Sequence, residues 1–234
     1  MKQSIMNILA LDTTTSACSV ALLADEFEVS RSAMMERGHA EALMPMVKDV
    51  LNQASRTFAD IDTLAVTIGP GAFTGLRIGL AAARGMALAA GIPCVGVTSL
   101  EAVAEGIGPE KRAGRALLVA LDSKRADVFA QVFDAGGPPV GPPVAVSLDG
   151  LMDIVPPRPV LVAGTAAPAV VESLMRRGVD AVRASGTGCP HAKDVARVAA
   201  RLVAAGKKTD KPPSPLYLRP PDTGAPNPEP RPAP

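Results

Sequence analysis

The sequence predicts an α/β protein built from two related halves, and three observations carry that prediction. Short buried strands alternate with amphipathic helices along the chain. A βββαβα-type order of elements begins near residue 8 and starts again near residue 116. The tetrapeptide Ala10-Leu11-Asp12-Thr13 has a counterpart in Ala120-Leu121-Asp122-Ser123, at the same place in each half. With 234 residues, of which 47% are hydrophobic and 20% charged, the chain can bury a core in each half.

Ile8-Leu9-Ala10-Leu11-Asp12 reads as a buried strand, and residues 17–24 as a second after a short polar turn. Residues 26–33 give a third, more polar strand with Phe27 and Val29 on one face. A helix over 39–54 sets Leu43, Met46, Val47, Val50, Leu51 and Ala54 at helical spacing, and Pro45 within it removes one hydrogen bond. A strand at 62–68 leads through Gly69-Pro70-Gly71 into a helix over 74–90. A strand at 94–98 and a short helix near 99–105 complete a half that spans residues 1–105.

The polar, glycine-containing stretch 106–114 links it to a second half, 115–210. That half carries strands at 116–122, 126–133, 144–148 and 159–163, with helices near 167–177 and 191–205. In the last segment, 211–234, stand 10 of the 23 prolines, too many for helix or sheet. Residues 221–234 therefore read as a disordered tail, whereas Leu216-Tyr217-Leu218 is an apolar patch expected to pin the chain back onto the body.

Composition excludes several functions. The net charge is 24 − 23 = +1, so nothing in the balance predicts autonomous binding to nucleic acid or to an acidic membrane. Aromatics are 3%, with no Trp and one Tyr, which argues against a base-stacking sheet. Cys18, Cys94 and Cys189 are odd in number and widely spaced, as in a reducing compartment. Lys2, the apolar residues after it and Thr15-Ser16-Ala17-Cys18 faintly imitate a lipoprotein leader, but Asp12 to Ser16 interrupt the apolar stretch. Leu80 to Ala90 is too short to span a bilayer and carries Arg84. A cytoplasmic protein without membrane contact is expected.

Two turns stand out. Asp12-Thr13-Thr14-Thr15 is rich in hydroxyls, and reads either as a hairpin contacting phosphate or as an ordinary turn bonded to its own backbone. Gly69-Pro70-Gly71-Ala72-Phe73-Thr74-Gly75-Leu76-Arg77 is a strand-to-helix turn whose helix start offers amides to an anion, with Thr74 as helix cap. It is neither a Walker loop nor a dinucleotide fingerprint, and a turn needed only for packing fits equally. Asp12, Thr13, Thr14, Gly69 and Gly71 are the candidate nucleotide- or phosphate-contacting residues. Gly75, Gly79, Ala83 and Ala87 then form a small-residue stripe, open to the chain's own sheet or to a partner helix. His39 and His191 are the only histidines, and no cluster has metal-ligand or nucleophile–base spacing. His39, with Glu41, falls at the surface end of the first helix.

Longer motifs resemble a known family. Ile8 to Thr14, His39-Ala40-Glu41-Ala42-Leu43-Met44-Pro45-Met46, Gly69 to Leu80, Ile92 to Leu100 and Pro215-Leu216-Tyr217-Leu218-Arg219 closely resemble the bacterial TsaB (YeaZ) family. The resemblance is dense from 8 to 105, thinner at 116–133, and returns at 213–221. It implies an actin-like, Hsp70-like ATPase (ASKHA) fold and a role in making threonylcarbamoyladenosine beside the tRNA anticodon. It implies a non-catalytic scaffold that pairs with a catalytic TsaD-like paralogue and is joined by a TsaE-like ATPase. ATP is then used by the complex, no cofactor is bound by this chain alone, and tRNA is met only through the assembly.

The resemblance also implies where the subunits meet, on the first two helices: His39, Leu43, Met46, Val47 and Val50 with Gly75, Arg77, Gly79 and Ala83. The same surface is open to a homodimer. Ser99 and Val103 stand where the paralogue has its two metal-binding histidines, so no metal centre and no catalytic residue are expected. The second turn, Asp122-Ser123-Lys124-Arg125, lacks the glycines of a phosphate hairpin. The alternatives are an independent small-molecule kinase of the same fold, a nucleotide-sequestering protein and a metallopeptidase.

Overall fold

The computed structural model describes residues 6–24, 27–206 and 211–219. Lys2 and the expected tail 221–234 lie outside the described residues. The first half contains β1 (Ile8–Asp12), β2 (Ala17–Leu23), β3 (Glu28–Met34), α1 (His39–Gln53), β4 (Thr63–Thr67), α2 (Phe73–Ala90), β5 (Cys94–Val97) and α3 (Ser99–Gly106). The second contains β6 (Ala116–Asp122), β7 (Asp127–Phe133), β8 (Val144–Ser147), β9 (Val160–Ala163), α4 (Ala167–Arg176), β10 (Ala181–Arg183) and α5 (Ala192–Ala204).

The duplication read from four letters is complete at the level of topology. One sheet has the order β3-β2-β1-β4-β5, and the other has β8-β7-β6-β9-β10. In each, the first three strands pair antiparallel and the last two join in parallel. The sequence pattern does not show β10, because Ala181-Val182-Arg183 is too short and too exposed to carry a strand signal. The halves differ in one element. Where the first has the 15-residue α1, the second has only the short 3₁₀ turn Gly150–Asp153 between β8 and β9.

The last helix of each half packs across the boundary. Leu100, Val103 and Ala104 of α3 join a core with Leu117, Val119, Leu121 and Phe133 of the second sheet. Ala192, Val195, Ala196 and Ala199 of α5 join Ile8, Ala10, Ala21 and Ala65 of the first. Small residues on both sides let helix and sheet backbones approach closely. The first sheet is thus covered by α1 and α2 on one face and α5 on the other. α3 and α5 form the middle layer, and α4 lies outside the second sheet. This arrangement fixes the two halves against each other and leaves the β1–β2 and β6–β7 turns facing one cleft.

The stretch 106–114 is not an open linker. Arg112 is 2% exposed, and its guanidinium donates to the carbonyls of Ala104 and Asp134, tying α3 to the end of β7. The apolar patch at 216–218 does pin the chain back: the Leu216 N–H donates to the Ile68 carbonyl at 2.7 Å.

Candidate functional site

The cleft between the halves has a volume of about 880 Å³ and is lined by Thr13 to Ser16, residues 36–41, Gly71 to Gly75, and Asp122, Ser123, Lys124 and Thr165. Its first wall is built by glycines. α2 starts directly against the β1–β2 turn, with the Ala72 N–H donating to the Thr14 carbonyl at 2.7 Å. A Cβ at Gly71 would overlap the Thr14 carbonyl, and one at Gly75 the Thr13 carbonyl. At Gly79 a Cβ would stand 2.6 Å from the Thr13 hydroxyl. Of the two readings the sequence leaves open for the stripe, Gly75 and Gly79 take the internal one and seat the turn.

The turn's polar groups are turned inward too. The Thr13 hydroxyl donates to the Gly75 carbonyl at 2.7 Å. The hydroxyls of Thr14 and Thr67 donate to Asp12 Oδ1 at 2.6 and 2.7 Å, and the Thr14 N–H reaches the same oxygen at 3.2 Å. Ser99, at one of the positions where the resemblance implied a lost metal ligand, lies 3.0 Å from the Thr14 hydroxyl. Since that hydroxyl's single proton goes to Asp12, Ser99 is the donor. Asp12 is fully buried, and its Oδ2 has no hydrogen-bond partner among the described residues. Burial pushes its carboxyl above the ordinary range, against the lowering effect of the Thr14 and Thr67 hydrogen bonds. Burial, reinforced by Asp12, likewise raises the Cys18 thiol to about 11. Asp12, Thr13 and Thr14 are thus committed to the protein's own bonds, and Gly69 and Gly71 to backbone packing.

The second wall is different. Asp122 Oδ1 accepts from the Lys124 N–H at 2.7 Å, and the Lys124 ammonium lies 3.1 Å from Oδ2, both side chains well exposed. Lys124 has φ +61°, the left-handed conformation that favours glycine.

The expected interface residues divide into two groups. Leu43, Val47, Val50, Gly75, Gly79 and Ala83 are buried in the core between the helices and the first sheet. His39 is buried as well, rather than at a surface end, with Nε2 3.0 Å from the Thr15 carbonyl. Met46 and Arg77 retain exposure. Ala42 and Met46 of α1 with Ile78, Ala82 and Met86 of α2 pack at the edge of this core and remain half-buried, beside the exposed Met44. Thr74 is no cap either: α2 begins at Phe73 after Ala72 and has no side-chain cap.

Val103 is buried in the α3 core. Among the described residues no group of three or more His, Cys, Asp or Glu side chains is placed to hold a metal ion. His191 acts as the cap of α5, accepting from the Lys193 N–H. Among the described residues no helix is long and apolar enough to cross a membrane.

Comparison with known proteins agrees with this architecture. The family model described as "TsaD: tRNA N6-adenosine threonylcarbamoyltransferase" matches residues 32–216. The chain is 41% identical over 124 residues to the Escherichia coli tRNA threonylcarbamoyladenosine biosynthesis protein TsaB, a match spanning 53% of each chain, so about half the length of that relative. YeaZ from Pseudomonas aeruginosa superposes with a TM-score of 0.77 at 27% identity, over 91% of this chain and all of that one. ROK hexokinase from Thermus thermophilus, 13% identical with a TM-score of 0.50, covers 84% of this chain and all of its own, and shares the fold alone. The α/β, actin-like architecture expected from the sequence is the one observed, and the chain belongs to the TsaB/YeaZ family.

Proposed function

We propose that this chain is a scaffold and dimerisation subunit of the assembly that transfers a threonylcarbamoyl group to adenosine next to the tRNA anticodon. In this reading it pairs with a TsaD-like catalytic paralogue, and a TsaE-like ATPase joins the pair and spends ATP. The chain itself supplies no catalytic residue and binds no cofactor alone. Family membership supports the process, through the names of the relatives.

The observation that carries the scaffold role is the face of α1 and α2. Ala42, Met46, Ile78, Ala82 and Met86 give it small and flexible apolar side chains, which suit close helix packing against another subunit. α1 is also the one helix without a helical counterpart in the second half, so this face is not duplicated. The same face serves a homodimer when the paralogue is absent. Against independent kinase chemistry stand the committed hydroxyls of Thr13 and Thr14 and the Lys124 side chain in the opposite turn.

The test is Met44→Arg, at the exposed methionine beside this face, a change that leaves the core intact. In size-exclusion chromatography with light scattering, the wild-type chain is expected to form a one-to-one species with its TsaD-like protein, and the variant to elute separately with an unchanged thermal midpoint. A variant that pairs normally, or a wild-type chain that never pairs, overturns the proposal.

A further inference from the structure

The segment Leu216 to Arg219 returns to the body and bonds to both of its halves. On the first half, the Leu216 N–H donates to the Ile68 carbonyl at 2.7 Å, and a Cβ at Gly69, whose φ is +99°, would stand 3.1 Å from the Leu216 carbonyl oxygen. Tyr217 lies against the start of α2, its ring centroid 5.8 Å from that of Phe73. The Arg77 guanidinium sits 3.7 Å from the Phe73 ring centre, and its Nε–H donates to the Tyr217 hydroxyl at 3.4 Å. On the second half, Arg219 forms an ion pair with Asp127 and lies 5.8 Å from the Phe129 ring centre. The Arg219 and Asp127 side chains are 26% and 20% exposed, so solvent screens this pair less than the open Lys124–Asp122 pair. The other carboxylate oxygen of Asp127 accepts from the Ser123 hydroxyl at 2.6 Å, which carries the connection into the β6–β7 turn. Phe73, Phe129 and Tyr217 thereby line one groove of about 420 Å³, and three of its lining residues, Gly71, Phe73 and Ser123, also line the cleft between the halves.

α3 and α5 join the halves at the middle layer, but the hydrogen bonds of Asp122, Ser123 and Lys124 in the cleft all stay within the second half. We infer that Leu216 to Arg219 is a strap that sets the opening of the cleft. Its fastening on the first wall is Leu216 with Tyr217, and its fastening on the second is Arg219 through Asp127 to Ser123. The length of the segment gives this a physical basis. The three residues from Leu216 to Arg219 can span at most about 11 Å, so with both ends bonded the walls cannot separate unless one end lets go. The coupling is reciprocal: whatever draws Ser123 off Asp127 loosens the hold on Arg219, and release of Arg219 frees the turn. The strap is independent of the pairing face on α1 and α2 and does not rest on the proposed function.

The experiment uses the full chain with spin labels at Leu88→Cys in α2 and Met175→Cys in α4, positions 85% and 60% exposed on the outer helices of the two halves. Cys18 and Cys94 are buried, and the half-buried Cys189 is changed to Ser. Double electron–electron resonance is expected to give one narrow distance in this background. Arg219→Gln, and a chain ending at Pro213, are expected to give a broader distribution with a longer mean. Tyr217 is the one tyrosine of a chain without tryptophan, so its fluorescence reports on the strap directly. In Arg219→Gln its quenching by acrylamide is expected to rise about twofold on release, since the residue is already 45% exposed. Hydrogen exchange in α3 and α5 is expected to stay as in wild type, which separates opening of the cleft from loss of the middle layer. An unchanged distance in the shortened chain overturns the inference. So does release of Tyr217 in Arg219→Gln without a change in distance, or a distance that changes only together with faster exchange in α3 and α5.

Discussion

The β1–β2 turn and the β6–β7 turn occupy equivalent places in two sheets of identical strand order, and they have been put to opposite uses. In the first, Asp12, Thr13 and Thr14 are buried, their hydroxyls are spent within the chain, and α2 is seated on the turn through Gly71, Gly75 and Gly79. In the second, Asp122 and Lys124 pair with each other in solvent. A fold that grips phosphate needs both turns to offer donors to the cleft. Here one has closed onto its own helix and the other presents a lysine stem to the cleft.

The largest expected effect breaks the closed turn. Gly75→Ala places a methyl group into the Thr13 carbonyl, a backbone atom that cannot swing aside. Its cost is expected to be about 3 kcal/mol or more, read as a lower denaturant midpoint at unchanged slope. Gly85→Ala, on the same helix with nothing within 4 Å of its new Cβ, is expected to stabilise by about 0.5–1 kcal/mol. If Gly75→Ala behaves like Gly85→Ala, the turn is not held by the helix.

That contrast also shows what the sequence discloses and what it does not. Apolar runs such as Leu9 to Leu11 and Leu117 to Leu121 announce their strands because burial on both faces demands it. The restart at 116 reveals the duplication for the same reason. The spacing of Gly75 and Gly79 reveals a close approach but not the partner, since a helix stripe carries no sign of direction. Nor does chain order reveal that α3 and α5 pack on each other's sheet, a choice made by contacts distant in sequence. The groove of Phe73, Phe129 and Tyr217 is invisible for a related reason: its members come from three separated segments and are few enough to vanish in the composition.

A middle-sized effect distinguishes the two aspartates by the sign of their pH dependence. The raised carboxyl of Asp12 means that the folded state holds its proton more tightly than the unfolded state. Its contribution to stability is therefore best below the ordinary value of 3.8 and declines as pH rises through the raised folded value. Asp12→Asn is expected to gain on wild type as pH rises from acid to neutral, because the neutral amide carries no charge into the buried site. Asp122 runs the other way. Desolvation opposes the shift, but the Lys124 N–H, its ammonium hydrogen bond and its charge together draw the carboxyl below 3.8. That stabilisation is present above 3.8 and lost as pH falls through the folded value, and exposure holds it to less than about 1 kcal/mol. Thermal midpoints of Asp12→Asn and Asp122→Asn relative to wild type between pH 3 and pH 7 are the measurement, and slopes of the same sign would remove the distinction.

The smallest expected effect on stability carries the sharpest test of function. Lys124→Gly relieves a left-handed residue, worth about 1 kcal/mol, and gives up an exposed ion pair worth about 0–1 kcal/mol. Gly also carries its own entropic cost, so the net change is expected within about 0.5 kcal/mol of zero. The substitution nevertheless restores the residue type that a phosphate hairpin uses in the second turn. If the lysine stem alone keeps phosphate away, isothermal titration with ATP and magnesium gains a binding signal in Lys124→Gly. The expected result is none, because Thr13 and Thr14 still give their hydroxyl protons to Gly75 and Asp12, and a cleft with one willing wall cannot replace the hydration shell of a triphosphate.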